Sequence, residues 1–224
     1  MLYLKLTLLI VLSSLSLISS GQEERVNKAS MNSSIDVMFG SHYLRKDTLD
    51  KFLRVNDSVT FSNYSQIVGI SFSKTFKTDR FKEQDGYINI QYQLPNTARG
   101  ADSTDYTFSG YQIGFCFGGK DLFYTNEQFD LVYSLGVQFG AYYLKRQHRT
   151  RAELRQRSRN GLIAPQLVME ARYFIGKLKI GFKMRGQYDI SKTSWKHLDH
   201  TTSDFGAFSA TGFAFQGMLG YKLD

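Results

Sequence analysis

The sequence predicts an all-β fold, an eight-stranded antiparallel up-and-down transmembrane β-barrel, on three observations. Apolar and polar residues alternate with a period of two in one stretch after another. The connections between those stretches alternate between short and long. The composition is aromatic-rich yet polar on average, with 18 Phe, 14 Tyr, 19 Gly and only 2 Pro in 224 residues and a mean hydropathy of −0.31. That balance suits a sheet greasy on one face and wet on the other. No apolar run of about 18 residues follows residue 21, which excludes a spanning helix from the remainder.

Residues 1–21, MLYLKLTLLIVLSSLSLISSG, read as a signal peptide. Lys5 precedes the apolar run Leu6–Leu12, small residues follow, and Ser19 and Gly21 stand at −3 and −1 of a cleavage before Gln22. A buried or amphipathic N-terminal segment is the plainer alternative. No Cys follows the run, so a lipoprotein anchor is not expected there. Residues 22–33 are expected to form a periplasmic segment and residues 34–224 the barrel.

Eight strands are expected at 34–45, 64–77, 86–95, 106–119, 128–146, 162–175, 178–191 and 208–223. In the last, Phe213, Phe215, Leu219, Tyr221 and Leu223 share one face, and Ala210, Gly212, Ala214, Gln216, Gly220 and Lys222 the other. The seventh sets Leu178, Ile180, Phe182, Met184, Tyr188 and Ile190 against Lys179, Lys183, Arg185, Gln187 and Asp189. Gly176-Lys177 between strands six and seven reads as a type II′ hairpin turn. It would place Ile175 opposite Leu178, both on the apolar face by independent counting. Connections at 46–63, 96–105, 147–161 and 192–207 are long and polar; those at 78–85, 120–127 and 176–177 are shorter. A barrel with both ends on the periplasmic side has short inner turns and long outer loops in this order.

The polar face carries small residues and charges of both signs: Asp36, Asp130, Glu170, Arg172, Lys179, Lys183, Arg185 and Asp189, with Lys222. An eight-stranded lumen holds side chains and little else, so these are expected inside as a paired charge network. The apolar face is bulky and points to lipid. Aromatics fall near both ends of it, Phe76, Phe117, Phe129, Tyr173 and Tyr221 at one and Tyr43, Tyr143 and Tyr188 at the other, like interfacial girdles. Three details fit less easily. Lys74 falls on the lipid face, strand four slips phase near Gly110, and Pro165 is expected above the membrane or at a bulge.

With this architecture and the terminal strand Phe213–Leu223, residues 34–224 resemble small bacterial outer-membrane barrels, of the OmpA/OmpX type and the PorT-like families of Bacteroidota. The Ser-Gly-Gln end of the leader resembles signal peptides of the latter. The resemblance implies an outer-membrane location, surrounding lipid and lipopolysaccharide, and insertion by the barrel-assembly machinery. The chain departs from the usual terminal aromatic by ending Tyr221-Lys-Leu-Asp224.

Site chemistry is sparse. No GxSxG, HExxH or P-loop pattern is present, and no cofactor is expected. The lone Cys116 reads as a packed side chain. The net charge of +8 gathers in one expected loop, where Lys145, Arg146, Arg149, Arg151, Arg155, Arg157 and Arg159 stand with a single acid. As a solvated loop it needs no partner. As a site it suits lipopolysaccharide phosphates, a polyanionic glycan or an acidic surface or secretion-complex partner. Nucleic acid is not expected, because no stacking aromatics interleave. Ser41-His42 lies nearest to a lipid-modifying (acyltransferase or deacylase) site, but adjacent strand residues point to opposite faces. His197-Leu-Asp-His200 offers metal-ligand types in a loop without fixed geometry. Asp47-Thr-Leu, Asp57-Ser-Val and Asp102-Ser-Thr resemble the Bacteroidota O-glycosylation motif. The expected function is therefore non-enzymatic: structural, surface-interacting, or accessory to secretion or uptake. Rival expectations are an outer-membrane lipid-modifying enzyme and a secreted soluble lipid-binding barrel.

Overall fold

The computed structural model describes residues 33–45, 49, 53, 59–77, 83–100, 103–125, 128–151, 155–191, 193–197 and 202–223. The expected leader and periplasmic segment, 1–32, lie outside these, as do Asp47, Asp57 and Asp102 of the glycosylation motifs.

Eight antiparallel strands close into a barrel: β1 Ser33–Leu44, β2 Tyr64–Lys77, β3 Glu83–Arg99, β4 Thr104–Thr125, β5 Phe129–His148, β6 Arg155–Ile175, β7 Leu178–Gln187 and β10 Gly212–Lys222. Each pairs with its sequence neighbour, and β1 closes on β10. Following partners around from Leu44 through Gly212, Gln187, Gln166, Gly136, Cys116, Tyr87 and Ser73 returns to β1 at Ser34, ten residues displaced. That stagger tilts the strands to the axis and leaves room for side chains alone. The expected hairpin forms: Ile175 pairs with Leu178, and Gly176 takes the positive φ of 60° that the turn requires.

Alternation decides what each face meets. Val37 is 61% exposed and its neighbour Asp36 3%. Ile70, Ile90, Leu135, Ile180, Phe182 and Leu219 are likewise exposed, and Lys179, Lys183 and Arg185 are buried. The barrel is thus greasy outside and carries its charges within, the reverse of a soluble lipid carrier. Phe117, Tyr173, Tyr188 and Tyr221 stand on the exposed face; the side chain of Phe76 lies outside those described.

The strands run longer than the alternation predicts. The connection expected at 96–105 shrinks to residues 100–103, and the one at 147–161 to residues 149–154. In these extensions the inward Thr104, Ser158 and Asn160 are buried but polar, so period-two polarity vanishes although the hydrogen-bonded ladder continues. The expected slip in strand four is also relocated. Even-numbered residues of β4 face inward from Thr104 to Gly118, and the irregularity lies opposite Gly110, in β3 between Gln93 and Asn96. Pro95, without an N–H to pair, occupies that bulge. Pro165, in contrast, is neither above the apolar face nor at a bulge. It points outward opposite Val137 between exposed Ile163 and Leu167. Its carbonyl accepts from Tyr188 N at 3.1 Å, it has no N–H to return, and the regular β6–β7 ladder ends there, at Gln166 and Gln187.

The last long connection carries two strands the alternation did not reveal, β8 Ser194–His197 and β9 Thr202–Ala207. β8 extends β6 through Ser158–His197 and Arg159–Lys196 pairs.

Candidate functional site

The lumen is filled in three tiers. Nearest the short turns is a charged tier. Lys179 Nζ lies 2.6 Å from Asp36 Oδ1 and donates to Ser34 Oγ at 2.7 Å. Glu170 is shared: its Oε2 accepts from Arg172 Nε at 2.8 Å, and its Oε1 lies 2.8 Å from Lys183 Nζ. Arg172 also pairs with Asp85, whose second oxygen accepts from Thr75 Oγ1 at 2.7 Å. Lys183 Nζ stands 4.2 Å from the centre of the Tyr87 ring. Three acids thus face three bases in good geometry, which buried charges require. Gly220 makes room for this: a Cβ there would collide with Asp36 Oδ1.

Of the eight residues expected to form the network, all are buried, and five make the ion pairs above. Asp130 faces the lumen across from Arg172. Arg185 lies among amides, donating to Gln91 and, at 3.3 Å, to Gln112 Oε1. Asp189 caps the connection above β7, accepting from Ala210 N at 2.8 Å and Ser191 N at 2.9 Å. Arg185 sits two residues beyond Lys183 on β7 and Asp189 six beyond it, past the end of that strand, so both lie higher in the barrel than the ion pairs. Asp85 escaped the sequence reading because it fell in an expected turn, although it has the same parity as inward Tyr87 and Asn89.

The middle tier is a girdle of glutamines around Arg185. Gln138 Nε2 donates to Gln112 Oε1 at 2.6 Å, Gln91 Nε2 to Gln216 Oε1 at 3.3 Å, and Gln166 Nε2 to Cys116 Sγ at 3.0 Å.

The upper tier departs from the expected polar lumen. Leu44, Tyr106, Phe108, Tyr142, Leu144 and Leu162 point inward from the strands, and Leu49, Leu53, Val59, Phe61, Trp195 and Phe208 come in from the connections to form one apolar core. Phe108 is its hub, with ring centres 5.3 Å from Tyr142, 5.7 Å from Phe208, 6.0 Å from Phe61 and 6.4 Å from Trp195. The inward aromatics Tyr106 and Phe108 are also what made strand four look out of phase.

The basic segment is a hairpin rather than a loop. Lys145, Arg146 and His148 belong to β5, and Arg155, Arg157 and Arg159 to β6. Lys145 pairs directly with Arg157, and Arg159 has Tyr143 on one side and Lys196 of β8 on the other. Arg149 is bound to Asp105 at 3.0 Å, and Arg151 is exposed at the tip. Arg146 lies over the Tyr106 ring, 5.8 Å from its centre. Thr150 N donates to His148 Nδ1 at 3.3 Å, tightening the turn. Lys196 was hidden because only the fold brings β8 beside β6.

The remaining candidates do not assemble. His42 faces the lumen and is fully buried, whereas Ser41 faces out, so the two cannot cooperate at the lipid edge. His197 lies in β8, and residues 198–200 are outside those described.

No protein-family model and no curated protein matches the chain. Among solved structures, Ail, the attachment invasion locus protein of Yersinia pestis, is 10% identical with a TM-score of 0.43, over 87% of this chain and 99% of that one. A major outer membrane protein from Thermus thermophilus is 9% identical with a TM-score of 0.48, over 85% and 99%. The outer membrane protease OmpT from Escherichia coli is 10% identical with a TM-score of 0.41, over 88% and 99%. At such distance no role follows for this chain.

Proposed function

We propose that this chain is a bacterial outer-membrane β-barrel protein with a non-enzymatic role, a closed scaffold that presents its long basic hairpin at the cell surface. The observation that carries the reading is the pairing of a continuous exposed apolar face with a lumen tightly packed by ion pairs, glutamines and rings. The outward face suits lipid, and the packed lumen suits support and surface contact better than passage. The inward burial of His42 removes the nearest candidate for lipid-modifying chemistry.

The test is a gel of fractionated cells comparing unboiled and boiled samples. We expect a band in the outer-membrane fraction whose mobility shifts on boiling, as a closed detergent-resistant barrel does. A soluble protein with no shift would overturn the reading.

A further inference from the structure

The outward face of β4, β5 and β6 changes character in steps along the strands. Ile113, Phe139 and Ile163 form one row of partners, and Tyr111, Ala141 and Gly161 the next. Ser109, Tyr143 and Arg159 follow, continued by Lys196 on β8. Then come Thr107, Lys145 and Arg157. Grease gives way to tyrosine and tyrosine to positive charge within a few residues, on one continuous face. The Tyr111 and Tyr143 rings, 6.0 Å apart, mark the boundary.

Two like-charge pairs stand side by side in this patch, Lys145 beside Arg157 and Arg159 beside Lys196. Like charges directly opposite one another in a ladder destabilise it. Asp105, the carboxylate beside the patch, is held by Arg149 at 3.0 Å. Among the described residues, the patch concentrates positive charge, and an anion from outside the chain would neutralise it.

We infer that Lys145, Arg157, Arg159 and Lys196 form a binding site for the phosphates of an anionic lipid headgroup in the leaflet the long connections face. The inference rests on the outer-membrane reading above. Direction selects the source. These side chains share the face of Ile113 and Phe139, so they address the headgroup layer beside the barrel rather than the medium above it. Guanidinium forks and ammonium groups supply the donors that phosphate oxygens accept.

The experiment measures retention of bisphosphorylated lipid A by the purified full chain in detergent, by native mass spectrometry. The wild type is expected to retain it. The variant K145Q/R157Q/R159Q/K196Q should bind on the order of a hundredfold or more weakly, at about fivefold for each basic side chain near an anionic surface. K74Q/K177Q, with charges removed at the opposite rim, should bind as the wild type does. Should the fourfold variant lose its boiling-dependent mobility shift, K145Q/R157Q and R159Q/K196Q are measured separately, each expected to bind about twenty-fivefold more weakly on the same basis. Equal retention by wild type and variants, or equal retention of dephosphorylated lipid A, overturns the site. Inorganic polyphosphate bound as tightly as the lipid, and lost in the same variants, would instead assign the patch to a soluble polyanion. A wild type that shifts on boiling yet retains no lipid A sinks this inference alone; one that never shifts sinks the barrel reading with it.

Discussion

The two ends of the lumen are held by opposite means. Near the short turns, Asp36, Asp85, Glu170, Arg172, Lys179 and Lys183 interlock as ion pairs. Near the long connections, Phe108, Tyr142, Trp195 and Phe208 interlock as rings. The difference follows from who supplies the side chains. In the lower tier every partner sits on a barrel strand, so its position is fixed by ladder register. Buried charges are tolerated only where geometry is that well held. In the upper tier half of the partners come from connections, whose positions the ladder does not fix. Apolar packing is non-directional and tolerates that looseness, while gaining stability from the area removed from water.

The largest effect that could break this comparison is at Glu170. Glu170→Gln keeps the shape but leaves Lys183 and part of Arg172 without a counter-charge. We expect a loss of about 3–5 kcal/mol, the cost of removing one partner from a buried pair. Urea titration of the barrel in lipid vesicles would measure it. A loss well under about 1 kcal/mol would mean that the tier is hydrated and the pairing incidental.

At the other end, Phe108→Ala removes the ring that four other rings touch. We expect about 3 kcal/mol from lost burial and the cavity left behind. The two sites share no partner, so the double variant should lose the sum of the single losses. A strongly non-additive result in the same titration would show that the glutamine girdle between them transmits strain. The ends would then not be independent.

How much of this was legible follows the same division. The lower tier could be read because its charges alternate strictly with lipid-facing apolar residues, as along Leu178–Gln187. Asp85 was lost only through the strand start being placed too late. The upper tier could not be read, because Tyr106 and Phe108 present apolar side chains to the inside where the pattern assigns them to lipid. Trp195 and Phe208 sit in or beside short strands without alternation, and only the closed fold shows that they enter the barrel mouth. The basic segment was legible as charge but not as structure. In the hairpin the inward Ser158 and Asn160 are buried yet as polar as the outward arginines, and a segment polar on both faces looks like a loop.

The smallest effect tests the outside against the inside. In the charged tier of the lumen each cation has an acid, and removing a charge costs stability. On the outer rim Lys145 faces Arg157 across the ladder, so removing a charge should help. Lys145→Gln is expected to raise stability by about 0.5 kcal/mol in vesicles of phosphatidylcholine, by relief of cross-strand repulsion. In vesicles that also contain bisphosphorylated lipid A, the gain should vanish or reverse, because the lysine then has phosphate to pair with. A gain of the same size in both lipids would mean that the repulsion is screened by water and salt alone. The sign change between the two lipids, more than its size, separates a charge held for a headgroup from one that is merely solvated.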